Sequence, residues 1–276
     1  MKANRAFLIL VIILLGWKAK GQQGVSVTGK SPFTIGETVK FESQILDEER
    51  QINVYLPDGY ESNTSKNYPV IYLFDGDVTQ DFIHVVGLVQ YAALPWINTM
   101  PESIVVGIVN IDRDKDYTFP TSDAAEKARF PTSGQSANFI KFISSELQPL
   151  IERSYRVGDE KTVIGQSQGG LLAAEILVKQ PNLFDNYIIV SPNLSWSGGA
   201  LLKVVPETYS ERKGVYLAIG SEGALMEKMM DLLYRNVWSV RKSDDGLSMY
   251  FFEDQIHDDV LHVAVYDAFE KIFGGF

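Results

Sequence analysis

The segment Gly165-Gln166-Ser167-Gln168-Gly169 sets one serine between two glycines at a spacing suited to acyl transfer. A serine hydroxyl is a poor nucleophile until a base takes its proton. A sharp strand-to-helix turn exposes that hydroxyl and demands small neighbours. Five residues with three fixed positions are a weak pattern alone. The flanks make it specific: the apolar Thr162-Val163-Ile164 precedes it, and Gly170-Leu171-Leu172-Ala173-Ala174 opens a helix. Gly165, Gly169 and Gly170 supply the room, and the helix N-terminus adds a positive end beside the reacting oxygen. Ser167 is therefore the expected nucleophile. The bland reading is a glycine-rich connector with an idle serine.

A nucleophilic serine needs a base, an orienting acid and two N–H donors for the oxyanion. The chain holds three histidines, His84, His257 and His262. In strand-elbow-helix hydrolases the acid and then the histidine follow the serine. His84 precedes it and falls in a helical stretch. His257 follows the eighth strand directly, in a loop, and is the favoured base; His262 lies five residues on, inside the final helix. The acid is expected beyond the preceding strand, where Val215–Gly220 ends in Ser221-Glu222-Gly223. Glu222 is preferred, with Asp231 and Asp254 as rivals and a Ser–His pair without an acid as the remaining option. One oxyanion donor is the N–H of Gln168. The other is the N–H of Gly76 or Asp77, in the loop Phe74-Asp75-Gly76-Asp77. With no cysteine and three scattered histidines, no tetrahedral metal site is drawn, and no cofactor is called for.

The elements that must position these groups alternate strand and helix. Val39–Leu46 and Gln51–Leu56 alternate apolar and polar, as half-buried antiparallel strands do, around a turn at Asp47–Arg50. Pro69–Phe74, Ser103–Asn110, Lys161–Gly165, Tyr187–Ser191, Val215–Gly220 and Leu247–Phe252 are near-continuous apolar runs, suited to strands covered on both faces. Helices are expected at Phe82–Ala93, at Ala137–Tyr155 with a kink at Pro149, and at Gly169–Lys179, Leu225–Trp238 and Asp258–Phe273. The methionines of the fourth of these read as core rather than as a cofactor site. Residues 111–136 read as a long loop over the carboxyl edge of the sheet. The fold class is α/β, with an eight-stranded, mostly parallel sheet flanked by helices.

Residues 1–21 read as a secretory signal: Lys2 and Arg5, then the 12 apolar-rich residues Ala6–Trp17, then small residues at Ala19 and Gly21. The apolar stretch is too short to span a bilayer as a helix. The expectation is an exported protein, periplasmic or secreted, with residues 22–276 as one domain and no stable membrane association after cleavage. The formal charge is −10; removal of residues 1–21, which carry four Lys/Arg and no acid, would leave −14. So acidic a chain is repelled by phosphate backbones, which argues against nucleic-acid partners.

From Phe41 to Phe273 the chain resembles the Putative esterase family of α/β-hydrolases, the esterase D-like group that holds siderophore esterases, S-formylglutathione hydrolases and feruloyl esterases. The stretches that carry the likeness include Val54-Tyr55-Leu56-Pro57-Asp58-Gly59-Tyr60, Pro69 through Asp77, Val106-Gly107-Ile108 with Asn110, Asp112-Arg113, Asp116 and Thr118, and Ser191-Pro192-Asn193-Leu194-Ser195-Trp196. The siderophore-esterase branch looks nearest, on the Asp-Gly-Asp loop and the Asn110–Asp116 stretch. The resemblance implies an α/β-hydrolase fold, Ser167 as nucleophile and His257 as base; it supports Glu222 less firmly. Gln166 and Ser195 depart from the His and the aromatic residue common at those positions. Arg113 is a candidate contact for an anionic substrate, or else an ion-pair partner of Asp112 or Asp116. The expected activity is a serine esterase acting on a small-molecule ester, of siderophore-lactone type or, alternatively, an acetyl or feruloyl carbohydrate ester. A non-catalytic binding protein on a hydrolase scaffold is the reading from another class.

Overall fold

The computed structural model describes residues 25–209, 213–241 and 246–274. The expected leader lies outside them. Residues 25–34 carry neither helix nor strand, and the fold is carried by the unit Ile35–Phe276.

Runs of apolar residues that shun water on both faces force the sheet into the middle of the molecule. Its strands are β1 (Glu37–Ser43), β2 (Glu48–Tyr55), β3 (Tyr68–Leu73), β4 (Ile104–Ile108), β5 (Val157–Gln166), β6 (Asn186–Val190), β7 (Gly214–Gly220) and β8 (Leu247–Phe252). They lie in the order β1-β2-β4-β3-β5-β6-β7-β8. The β1–β2 and β2–β4 pairs are antiparallel and the others parallel. Every residue of β4 and β6 is buried, as a doubly covered sheet requires. The eight-stranded, mostly parallel sheet read from the sequence is therefore the fold.

The helices are α1 (Phe82–Ala92), α2 (Arg113–Tyr117), α3 (Ala124–Arg129), α4 (Ser136–Phe142), α5 (Gln148–Ser154), α6 (Gln168–Lys179), the short α7 (Trp196–Gly199), α8 (Ala224–Val240) and α9 (Val260–Phe273). Alternation along the strands splits the core into two layers. Ile71 and Leu73 of β3 pack with Val85, Val86 and Val89 of α1 and Val260, Ala264 and Val265 of α9. Val70 and Tyr72 face the other way, towards Phe139 of α4, Leu171 of α6 and Leu233 of α8.

Three local expectations are corrected. The first hairpin turns at residues 44–47, not at Asp47–Arg50, and Glu48–Arg50 begin β2. Glu146 fixes that turn, its carboxylate accepting the N–H groups of Gln44 (2.9 Å) and Ile45 (3.0 Å) and the Ser43 hydroxyl. The expected Ala137–Tyr155 helix is α4 and α5 joined by a π-helical turn, Ile143–Leu147, just before Pro149. Proline has no N–H to give to the turn before it, so the ladder widens there. The expected loop 111–136 contains α2 and α3, each started by an aspartate side chain: Asp112 accepts the Lys115 N–H, and Asp123 those of Ala125 and Glu126.

Arg50 explains why α2 sits where it does. Its guanidinium, with the side chain only 1% exposed, donates to Asp116 (2.8 Å, also 1% exposed), Glu48 (2.8 Å) and the Val109 carbonyl (3.1 Å). It lies over the rings of Phe139 and Phe142. Burial pushes the Asp116 carboxyl up, and Arg50 offsets only part of that. Removing one partner of a buried pair strands the other charge. Asp116→Ala should cost about 3–5 kcal/mol in urea unfolding; a loss below about 1 kcal/mol would show that Glu48 alone satisfies Arg50.

Candidate active site

The six parallel strands β3 to β8 end at one edge, and the residues singled out from the sequence come from the loops beyond β3, β4, β5, β7 and β8. Strand β5 runs into α6 through Ser167, whose backbone sits at φ 57°, ψ −115°. A non-glycine residue there is strained, at a cost of order 1–3 kcal/mol, and persists only when its surroundings hold it. They do. The Ser167 N–H donates to Val190 O (3.1 Å), and its carbonyl accepts from Leu171 (2.9 Å) and Asn193 (2.9 Å). The turn is so tight that a Cβ on Gly165 would fall 2.4 Å from the Gly169 carbonyl oxygen.

Glu222, just past β7, and His257, in the β8–α9 loop, are brought together: His257 Nδ1 lies 2.8 Å from Glu222 Oε2. The other oxygen of Glu222 accepts from the hydroxyl of Ser191, a buried residue at the end of β6 with φ 43°. The two loops are stitched by Ser221, whose N–H donates to Gln255 O and whose hydroxyl donates to Glu253 O, each at 2.7 Å. Gln166, next to Ser167, donates its side-chain amide to the His257 carbonyl. This ties the histidine loop to the elbow. The rivals lie elsewhere: Asp231 pairs with Arg235 on α8 (2.8 Å), and Asp254 is exposed. His84 and His262, far from each other in sequence, have their ring centres 5.4 Å apart on α1 and α9, so the histidines are less scattered than expected.

Asp75 organises the opposite side. It takes φ 56°, and its N–H donates to the hydroxyl of the fully buried Tyr117 (3.1 Å). Its carboxylate accepts two hydrogen bonds from Arg113, Nε to Oδ1 at 2.8 Å and Nη2 to Oδ2 at 2.9 Å, and one from the Asn110 amide. Arg113 thus pairs with Asp75 rather than Asp112 or Asp116. It also reaches the Gln166 carbonyl and the Gln168 side chain, both at 3.3 Å, and stays 34% exposed. Gln168 in turn donates to Asp114 (2.8 Å). Between the two expected oxyanion donors on this side the structure discriminates. The Gly76 N–H donates to Ile108 O (3.0 Å), and a Cβ on Gly76 would lie 2.2 Å from the Gly107 Cα, so this glycine serves close packing. The N–H groups of Asp77 and Gln168 have no acceptor among the described residues. The Asp77 carboxylate is engaged locally, accepting the N–H and hydroxyl of Thr79 at 2.8 and 2.6 Å, which holds it below the usual range.

The two partners shift each other's titration in opposite directions. The hydrogen bond to Glu222 raises the His257 pKa above its ordinary 6.5, against the pull of partial burial. Burial pushes Glu222 up, but the hydrogen bonds from His257 and Ser191 outweigh it and leave the carboxyl lowered. Asp81, part-buried and beside Asp75, is pushed up to about 6. Ser191, the Asp75 hub and the Gln166 contact had no local signature in the sequence beyond their positions at strand ends. Among the described residues no group of three or more His, Asp or Glu could hold a metal ion.

Sheet order, elbow and flanking helices together define an α/β-hydrolase fold. Residues 43–245 match the family described as Putative esterase, and the chain belongs to that family. Among characterised relatives, the ferri-bacillibactin esterase of Bacillus subtilis is 28% identical over 184 residues, 62% of this chain and 63% of that protein. The chain thus spans less than two thirds of that relative. Of solved structures, an IroE-like serine hydrolase from Shewanella oneidensis superposes with a TM-score of 0.76 at 25% identity, over 87% of this chain and 80% of the other. The BES protein of Bacillus cereus does so at 0.73 and 26% identity, over 90% and 99%.

A histidine acting as base must be neutral, so kcat/KM should rise with pH through the folded pKa of His257, above 6.5. Glu222→Gln removes the negative charge that makes this contact favour the protonated ring. The acid limb of the profile should then move to lower pH while the plateau falls. A limb that stays in place would separate Glu222 from the titration.

Proposed function

We propose that this chain is an exported serine esterase that cleaves carboxylic esters through an acyl-enzyme. The observation that carries the reading is the His257–Glu222 pair at 2.8 Å, tied through Gln166 to the strained turn that bears Ser167. In this reading Ser167 Oγ attacks the ester carbonyl while His257 takes its proton. The tetrahedral oxyanion is met by the N–H groups of Gln168 and Asp77. His257 returns the proton to the leaving alkoxide as the C–O bond breaks. Water, deprotonated by the same ring, then releases the acid and restores the serine. Glu222 steadies the imidazolium, and Ser191 steadies Glu222. Membership of the esterase family and the named activity of the Bacillus subtilis relative support this chemistry over a non-catalytic scaffold.

The substrate we favour is a siderophore-type lactone, on the strength of that same relative. Arg113 is proposed to meet the substrate with its exposed edge while Asp75 offsets its charge. Export rests on the leader read from residues 1–21; among the described residues no helix is long and apolar enough to cross a membrane.

Ser167→Ala should lower kcat on an activated aryl ester by about 10⁴-fold or more. His257→Ala should do nearly the same, and the double variant should be little worse than either, because the two act as one unit. Residual activity above about a tenth of wild type in both single variants would falsify the assignment.

Charge gives a second test. The far field repels anions, and screening weakens it beyond about 8 Å at physiological salt. With Arg113 offset by Asp75, kcat/KM for an anionic ester should rise with added salt while a matched neutral ester stays flat. An anionic ester that slows with salt would instead show local attraction, and Arg113→Ala should then abolish the slope.

A further inference from the structure

We propose that His84 and His262 form a two-histidine binding site for a late first-row divalent cation, of the copper, nickel or zinc type, at the N-terminal ends of α1 and α9. The chain has three histidines, and two of them, from distant parts of the sequence, meet here. Both are exposed, and both sit in the first turn of a helix. The helices are packed into one core layer through Val85, Val86, Val260 and Ala264, so the rings are carried by rigid elements rather than loops.

The geometry suits a chelate. The ring centres are 5.4 Å apart and the planes cross at 86°. A tetrahedral ion held at about 2.0–2.1 Å by one nitrogen of each imidazole puts the ring centres roughly 5 Å apart. No ring nitrogen of either residue is hydrogen-bonded among the described residues, so the lone pairs are not committed elsewhere. Burial and the neighbouring ring both lower the His84 pKa, which favours the neutral, ligating form. Two imidazoles with no third protein ligand among the described residues leave the remaining positions to water. That implies modest affinity, an order of preference with copper first, and no binding of oxygen-seeking magnesium or calcium. Neither histidine is among the groups assigned to acyl transfer, although α1 and α9 start directly after the loops that carry Asp77 and His257.

The test uses the untagged chain, stripped with chelator and dialysed, titrated calorimetrically with copper, nickel, zinc and magnesium chlorides near pH 7.5. One copper, nickel or zinc ion should bind per chain, copper most tightly, and magnesium should give no heat. His84→Gln and His262→Gln should each weaken binding at least tenfold, roughly the minimum expected for loss of a ligand. Both should keep the wild-type hydrolytic rate and, in chelator, the wild-type thermal midpoint. His257→Gln should bind the ion as the wild type does. On the wild-type chain alone, imidazole nitrogen spectra should show the His84 and His262 rings perturbed on adding zinc and His257 unchanged. Absence of binding at millimolar ion would overturn the proposal. So would binding that survives both substitutions, or binding lost in His257→Gln instead.

Discussion

The turn at Ser167 is the constraint on which the rest of the molecule depends. A serine at φ 57°, ψ −115° would relax if its neighbours allowed it. The parallel sheet prevents this from three sides. β6 takes the Ser167 N–H through Val190, the segment after β6 takes its carbonyl through Asn193, and α6 begins on it through Leu171. Gly165 is needed because strand and helix backbones come nearly into contact, and Gly169 because a Cβ there would crowd the Asp75 and Phe74 side chains. The strain is therefore held by the core, which is why the elbow has to sit in the middle of a doubly covered sheet.

Two polar assemblies flank the site from either side. Towards β7 and β8, Ser191, Glu222 and His257 form a chain of hydrogen bonds in which one negative charge supports one proton-accepting ring. Towards β3 and β4, Asp75 gathers Arg113, Asn110 and Tyr117, and the nearby Asp77 N–H lacks an acceptor among the described residues. Arg113 and Gln166 link the two, since Arg113 reaches the Gln166 carbonyl and the Gln166 amide reaches the His257 carbonyl. A substitution at Gln166 would disturb both assemblies at once.

Much of the fold was legible because burial on both faces writes itself as continuous apolar runs, and β4 and β6 are such runs. What escaped depended on distant partners. Charge and alternation alone put Glu48-Glu49-Arg50 in a turn, yet Arg50 is drawn into the core by Asp116 and makes them strand. The break before Pro149 was expected as a kink, but its π-helical form serves Glu146, which reaches back about a hundred residues to the first hairpin. At the site, the turn at Ser167 and the meeting of Glu222 with His257 were legible from chain order at strand ends. Ser191, the pairing of Arg113 with Asp75 and the engagement of the Gly76 N–H by Ile108 were not. Each turns on hydrogen bonds between segments far apart in sequence.

The central claim is that Ser167 carries the acyl group, and trapping that intermediate tests it most directly. The chain would be mixed with an activated aryl ester and quenched in acid within the first turnover. Intact mass and peptide mapping would then locate the adduct. The account expects one acyl group per chain, on the peptide containing Ser167, and none in His257→Ala over the same interval. Burst release of the phenol with no adduct, or an adduct on any other residue, would contradict it.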